Sequence, residues 1–93
     1  MDYIALFNEL TKIIKIAGGD SCEAKSLTDN IYEVGLDSLD VVMLSMYLGE
    51  MYGIDEEISR DMPIGTLEET FAFVEINKTT EPESIAAAIK GVQ

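Results

Sequence analysis

Apolar residues near the start of the chain recur at steps of three and four. Tyr3, Leu6, Phe7, Leu10, Ile13, Ile14 and Ala17 form one stripe, with Asn8, Glu9, Thr11, Lys12 and Lys15 mostly opposite. This spacing predicts an amphipathic helix over about residues 3–17. Asp2 suits its N-cap. Gly18 and Gly19 mark the stop, because glycine readily takes the left-handed conformation that ends helices. Residues 18–36 lose the periodicity: polar "GGDSCEAKS" gives way to isolated Leu27, Ile31, Tyr32 and Val34. The expected structure is a long loop pinned to the core by a few side chains, and long ordered loops in small domains usually serve function.

Helical spacing returns at Leu39 and predicts a second helix over about 38–52, ended by Gly53. Leu44, Leu48, Met51 and Tyr52 can share one face, while Val42, Met43, Met46 and Tyr47 fall on its flanks. A helix apolar on more than one side is either buried against two neighbours or docked to something. The acidic connector "IDEEISRDMPIG" follows, with Pro63 and Gly65 as breakers. Thr66 and Glu69 then stand at capping-box spacing ahead of Leu67, Phe71 and Val74, predicting a short helix over about 67–76. Thr80 and Glu83 repeat that spacing, Pro82 suits a first helical turn, and Ile85, Ala86 and Ile89 give a stripe before Gly91. A fourth helix is therefore expected at about 82–90. No alternating pattern reaches strand length. The expected class is all-α: a small four-helix bundle with a long loop between helices 1 and 2, one domain over residues 1–93.

Composition narrows the possibilities further. A chain of 93 residues can bury only roughly 60 to 65 per cent of the surface its unfolded form exposes, enough for a thin core. At 47% hydrophobic and 26% charged it lies well above the disordered range. Lys or Asp interrupts every apolar run before it could span a bilayer, so no stable membrane insertion is expected. In "MDYIALFNELTK", Asp2 and Glu9 occupy places where a secretory leader would carry positive charge and then unbroken apolar residues, so the expected location is the cytoplasm. The lone Cys22 has no disulfide partner in the chain, and with no histidine a metal site of the usual Cys and His kind is excluded. Eighteen acidic residues against six basic ones give a net charge of −12. Such a field repels nucleic acid and attracts basic protein surfaces, although acidity also simply keeps a small domain soluble; both readings stand.

Chemistry concentrates at "EVGLDSLDVVMLSMY", residues 33–47, where Ser38 sits among Asp37, Leu39 and Asp40 at a helix start. A serine nucleophile needs a base to take its proton, and this chain has neither histidine nor a parallel-sheet pattern to build the turn, a lysine base being a rare substitute; no enzymatic activity is expected. A Ca²⁺ loop is also a poor fit, because no segment offers alternating oxygen ligands ending in Glu. Helix capping remains, since Asp37 with Asp40 can satisfy the free N–H groups of the first turn. A hydroxyl meant for modification remains beside it.

The segment Leu27 to Ile54, "LTDNIYEVGLDSLDVVMLSMYLGEMYGI", resembles the core of an acyl carrier protein: a loop, Asp37-Ser38-Leu39 at a helix start with Gly35 and Leu36 ahead and Asp40 behind, and a long helix ending in an aromatic and glycine. The acidic chain, the preceding amphipathic helix and the short final helix extend the likeness along the whole length. The resemblance implies that Ser38 carries 4′-phosphopantetheine, attached by a separate phosphopantetheinyl transferase using coenzyme A and a divalent cation. The arm's thiol then holds acyl groups as thioesters for partner enzymes, and the carrier acts as a monomer. A phosphodiester at a helix N-terminus is favoured by about 0.3–1 kcal/mol at an exposed site. Asp37 and Asp40 oppose that charge while attracting cations and basic residues of the transferase.

The resemblance further implies docking of acyl-loading and acyl-transferring enzymes along the second helix, through Asp37, Leu39, Asp40, Val42, Met43, Met46 and Glu50. Met43 and Gly49 stand where typical fatty-acid carriers bear acidic residues; the acidity lies instead at Asp55, Glu56, Glu57, Asp61, Glu68 and Glu69. Recognition is thus expected to be less electrostatic, with Met43 and Met46 as apolar anchors for a dedicated partner. Ala86, Ala87, Ala88 and Gly49, with pliable Met43, Met46 and Met51, either leave room for a long acyl chain between helices or reflect close packing; both readings stand. The stretch after Gly53, with a helix near Leu67 to Ile76, is longer than in ordinary members. These departures suggest a specialised carrier resembling those of lipid A or other envelope lipids. A peptidyl or aminoacyl carrier and an unmodified helical adaptor are the alternatives.

Overall fold

The computed structural model describes residues 2–15 and 23–92. Gly18, Gly19 and Cys22 lie outside the described residues, as does Ala17. Six helices occur among the described residues: α1 (Tyr3–Ile14), α2 (Ile31–Val34), α3 (Ser38–Tyr52), α4 (Glu56–Ser59), α5 (Leu67–Asn77) and α6 (Ile85–Val92). The class is all-α, and the only strand-like feature among the described residues is an isolated bridge between Asn30 and Thr66.

The predicted stripe of α1 places Leu6, Phe7, Leu10 and Ile14 in the core. Asp2 accepts from the Ala5 N–H, as its sequence position suggests. Two differences stand out. The helix closes at Lys15, its C-cap, short of residue 17. Thr11, expected on the polar side, is buried, because its hydroxyl donates to the Asn8 carbonyl at 2.8 Å and so takes its polar group inside already satisfied. Asn8 meanwhile clasps both backbone groups of Ala24, accepting at 2.7 Å and donating at 3.0 Å, which fixes the far end of the loop to α1.

That loop is not structureless. Asn30 caps α2 through bonds to the Tyr32 and Glu33 N–H groups, and Gly35, at φ 128°, turns the chain out of the helix. Of the four side chains expected to pin the loop, Ile31 is fully buried and Val34 partly so, whereas Leu27 and Tyr32 are exposed. Backbone pairing does the rest: the Glu68 and Leu67 N–H groups donate to the Leu27 and Asp29 carbonyls, and the Ile31 N–H donates to Gly65. The start of α5 thereby fills its orphan donors from the loop, and the Thr66–Glu69 capping box supplies the remainder. Tyr3 of α1 stacks on Phe71 of α5 at 4.4 Å, and its hydroxyl donates to Glu75.

The acidic connector after α3, for which no helix is expected from the sequence, contains the single turn α4. Gly53 closes α3 at φ 62° and ψ 35°. The Thr79 and Thr80 N–H groups donate to the Tyr52 carbonyl, and the Thr79 hydroxyl donates to the Gly53 carbonyl. Thr80 is therefore engaged at the end of α3 and does not start the last helix. Ser84 does, with its hydroxyl accepting from Ala87 and its carbonyl from Ala88, so α6 begins at Ile85 and not near residue 82. It also runs through Gly91 to Val92. α6 packs against α1 and α3, with Ala88 buried. At Gly53 a Cβ would meet both an unfavourable φ and the Thr79 hydroxyl. Gly53→Ala should therefore cost more than about 1 kcal/mol in chemical denaturation; an unchanged midpoint would show that the Thr79 strap is not tight.

Candidate functional site

The site is the first turn of α3. Leu36 and Val41 occupy the two positions of a hydrophobic staple, and both are buried, which fixes the entry angle of the chain. Asp37 is the N-cap: its Oδ1 accepts from the Asp40 N–H at 2.9 Å, and Asp40 Oδ2 accepts from the Asp37 N–H at 3.0 Å. The capping box is complete without Ser38. Ser38 is the first helical residue, exposed, and its hydroxyl has no hydrogen-bond partner among the described residues. The Ser38 and Leu39 N–H groups have no carbonyl acceptor within the helix and lie at the positive end of a 15-residue helix.

Asp40 is only 8% exposed and pairs with Lys15 Nζ at 2.6 Å, joining the end of α1 to the start of α3. The Lys15 ammonium first, and then the Asp37 N–H, hold its carboxyl below the usual carboxylate range. The stability this gives is present above the unfolded value, near 3.9, and is lost as pH falls through the lower folded value. Asp40→Asn should therefore be less stable than the parent at pH 6, with the gap narrowing as pH falls below about 4 in urea titrations. A gap independent of pH would mean that the Lys15 pair contributes nothing.

The remaining predicted contact residues fall into two groups. Leu39, Val42 and Met46 are 69%, 52% and 58% exposed, and Asp37 and Glu50 are exposed beside them. Met43 and Tyr47 instead pack partly against the core, and Asp40 is turned inward as described. Ser38, Val42, Ser45, Met46 and Gly49 are spaced at i, i+4, i+7, i+8 and i+11, one face of α3. This face continues into a groove of about 370 Å³ walled by α4 and its flanks, where Ile54, Glu56, Ser59 and Arg60 complete the lining. The acidic side chains Asp55, Glu56, Glu57, Asp61, Glu68 and Glu69 are exposed, and Arg60 pairs with Glu56 at 3.1 Å.

Of the two readings left open for the small residues, room for a chain or close packing, a single shared cavity does not form. Gly49 and Met46 line the α3–α4 groove, Met51, Ala87 and Ala88 line a separate pocket of about 170 Å³ against α6, and Ala86 faces α1 across a third. Nor does Gly49 leave space: a Cβ there would stand 2.6 Å from Ser59 Oγ, so its role is to admit Ser59. Sequence reading missed Lys15, Ser45 and Ser59. Ser45 could have been found by counting turns from Ser38; Lys15 and Ser59 meet α3 only through the fold. Among the described residues no cluster of three or more His, Cys, Asp or Glu is arranged to hold a metal, and no helix is long and apolar enough to cross a membrane. No protein-family model, curated protein or solved structure matches the chain.

Proposed function

We propose that the chain is an acyl carrier protein, a four-helix bundle of that type formed by its longer helices, with Ser38 as the tether. The observation that carries this reading is the division of labour at the start of α3. Asp37 and Asp40 perform the capping, which leaves the Ser38 hydroxyl exposed and without a structural task. Serine favoured for capping alone would be expected at position 37, not one residue inside the helix.

The residues fit the implied group. Ser38 is exposed, so its Oγ is open to a phosphodiester, and it stands at the helix end whose unpaired N–H groups favour negative charge. When attached there, 4′-phosphopantetheine supplies a terminal thiol that carries acyl groups as thioesters. This chain's residues then hold and present. Lys15 offsets the charge of Asp40 and leaves Asp37 as the exposed carboxylate next to the tether, for cations and basic residues of a phosphopantetheinyl transferase. Leu39, Val42 and Met46 form an exposed apolar strip beginning beside Ser38, rimmed by Glu50 and by the carboxylates of α4. Partner enzymes would dock apolar anchors on that strip and place basic groups on the rim, with affinity set by the anchors and encounter rate by the rim. A cytoplasmic carrier, monomeric and dedicated to specialised lipid synthesis, follows from the sequence resemblance and from the scarcity of acidic residues on α3.

Incubation with coenzyme A, Mg²⁺ and a broad-specificity transferase, read by intact mass, tests the proposal. One pantetheine arm per chain is expected. Failure to load beside a known carrier that loads fully would leave the helical adaptor as the better reading.

A further inference from the structure

The α3–α4 groove contains a polar group that the carrier reading does not use. Ser59 is 6% exposed, and its Oγ has no hydrogen-bond partner among the described residues, although it lines the groove directly over Gly49. A buried hydroxyl without a partner loses its hydration and gains nothing in return, so its presence calls for a reason. An alanine would fill the same place without that loss.

The groove's other features limit what could supply the missing partner. Its volume of about 370 Å³ falls within the range of small-molecule sites. Val42, Met46 and Ile54 offer apolar lining, suited to methylenes, and methionine adapts to irregular chains. Glu50 and Glu56 stand at the rim, and the nearby Arg60 is already paired with Glu56, so a ligand bearing a free carboxylate is disfavoured. The α3 wall begins with Val42, about 6 Å along the helix from Ser38, and reaches Gly49 at about 16 Å, so the groove runs away from the proposed tether on its own face.

From these observations we infer that the groove selects acyl chains bearing a neutral oxygen substituent, a hydroxyl or keto group, and that Ser59 is the residue that recognises it. The serine hydroxyl both donates and accepts, so it can serve either substituent. Gly49 is the complementary element, since any side chain there would displace Ser59. The inference rests on the carrier reading for the source of the chain, yet the groove's preference can be measured without the covalent arm.

Two free probes, S-octanoyl-pantetheine and S-(3-hydroxyoctanoyl)-pantetheine, would be titrated into the unmodified full chain and followed by backbone amide shifts. The hydroxylated probe should bind about 2- to 10-fold more tightly, the contribution of one hydrogen bond, with shifts concentrated in residues 42–60. Ser59→Ala should erase that difference while leaving octanoyl binding and the thermal midpoint unchanged or improved, since an unpartnered hydroxyl is removed. Equal binding of both probes by the parent, a preference that survives Ser59→Ala, or no shifts in the groove would each overturn the inference. A chain that prefers the hydroxylated probe yet refuses the arm at Ser38 would sink the carrier reading and leave the groove's selectivity standing.

Discussion

Ser38→Ala is expected to lose pantetheinylation completely while unfolding within about 0.5 kcal/mol of the parent, as surface substitutions usually do. The two halves of that expectation have separate causes. Loading is lost because the accepting oxygen is gone and no neighbouring hydroxyl takes its place; Ser45, the next on that face, lies two turns along α3 and donates to the Val42 carbonyl at 2.8 Å. Stability is kept because the Ser38 hydroxyl has no partner among the described residues and the capping box runs from Asp37 to Asp40. Intact mass after transferase treatment reads the first half and urea denaturation the second. A variant that fails to load because it is unfolded would be uninformative for a tether and would instead show that Ser38 is structural. Asp37→Ala differs in stability: it keeps the accepting oxygen of Ser38 but removes the N-cap, and should cost about 0.5–2 kcal/mol.

Leu44→Ala should have the largest effect on folding. Leu44 is fully inaccessible at the middle of α3, with Leu48 one turn further on equally buried. Around them Phe7, Leu10, Ile31, Leu67, Phe71 and Val74, drawn from α1, α2 and α5, belong to the same core cluster. Truncation there removes the transfer energy of the side chain and leaves a cavity that helices on several sides cannot close together, a cost of about 2–5 kcal/mol. Natural domains hold only about 5–15 kcal/mol in total, so a chain this short could lose much of its margin. The expected signature is a lower urea midpoint at an unchanged slope. A loss below about 1 kcal/mol would mean that α3 is not the centre of the core.

The parts of this fold that could be read from the sequence are those where one residue type has one local use. Asp37 with Asp40, Thr66 with Glu69, and Gly53 each act on backbone groups within a few positions, and each stands where its spacing placed it. The stripes of α1 and α3 were legible for a related reason, because helix geometry alone turns those spacings into a face. Single turns such as α2 and α4 carry too few residues for any period to register. The start of α6 was misplaced because Thr80 and Glu83 imitate a capping box, while the fold commits the Thr80 N–H to the Tyr52 carbonyl and leaves Ser84 to begin the helix.

At the candidate site the same division holds. The exposure of Leu39, Val42 and Met46 could be suspected from a helix with more apolar faces than one core can use. The inward turn of Asp40 could not, since its partner Lys15 is 25 positions away on α1, and no local rule links them. Gly49 left two readings open, room for a chain or close packing, and the structure favours the second. A glycine inside a helix marks a close approach as readily as an open space, and here Ser59 occupies the room.

What is attached to Ser38 in the cell decides whether this chain is a carrier. The protein purified from its native host, weighed intact and then as the peptide containing residues 33–47, should exceed its sequence mass by one pantetheine arm on Ser38, with part of the population carrying an additional acyl group that hydroxylamine releases. Protein found entirely at its sequence mass, in cells where another carrier is fully modified, would contradict it.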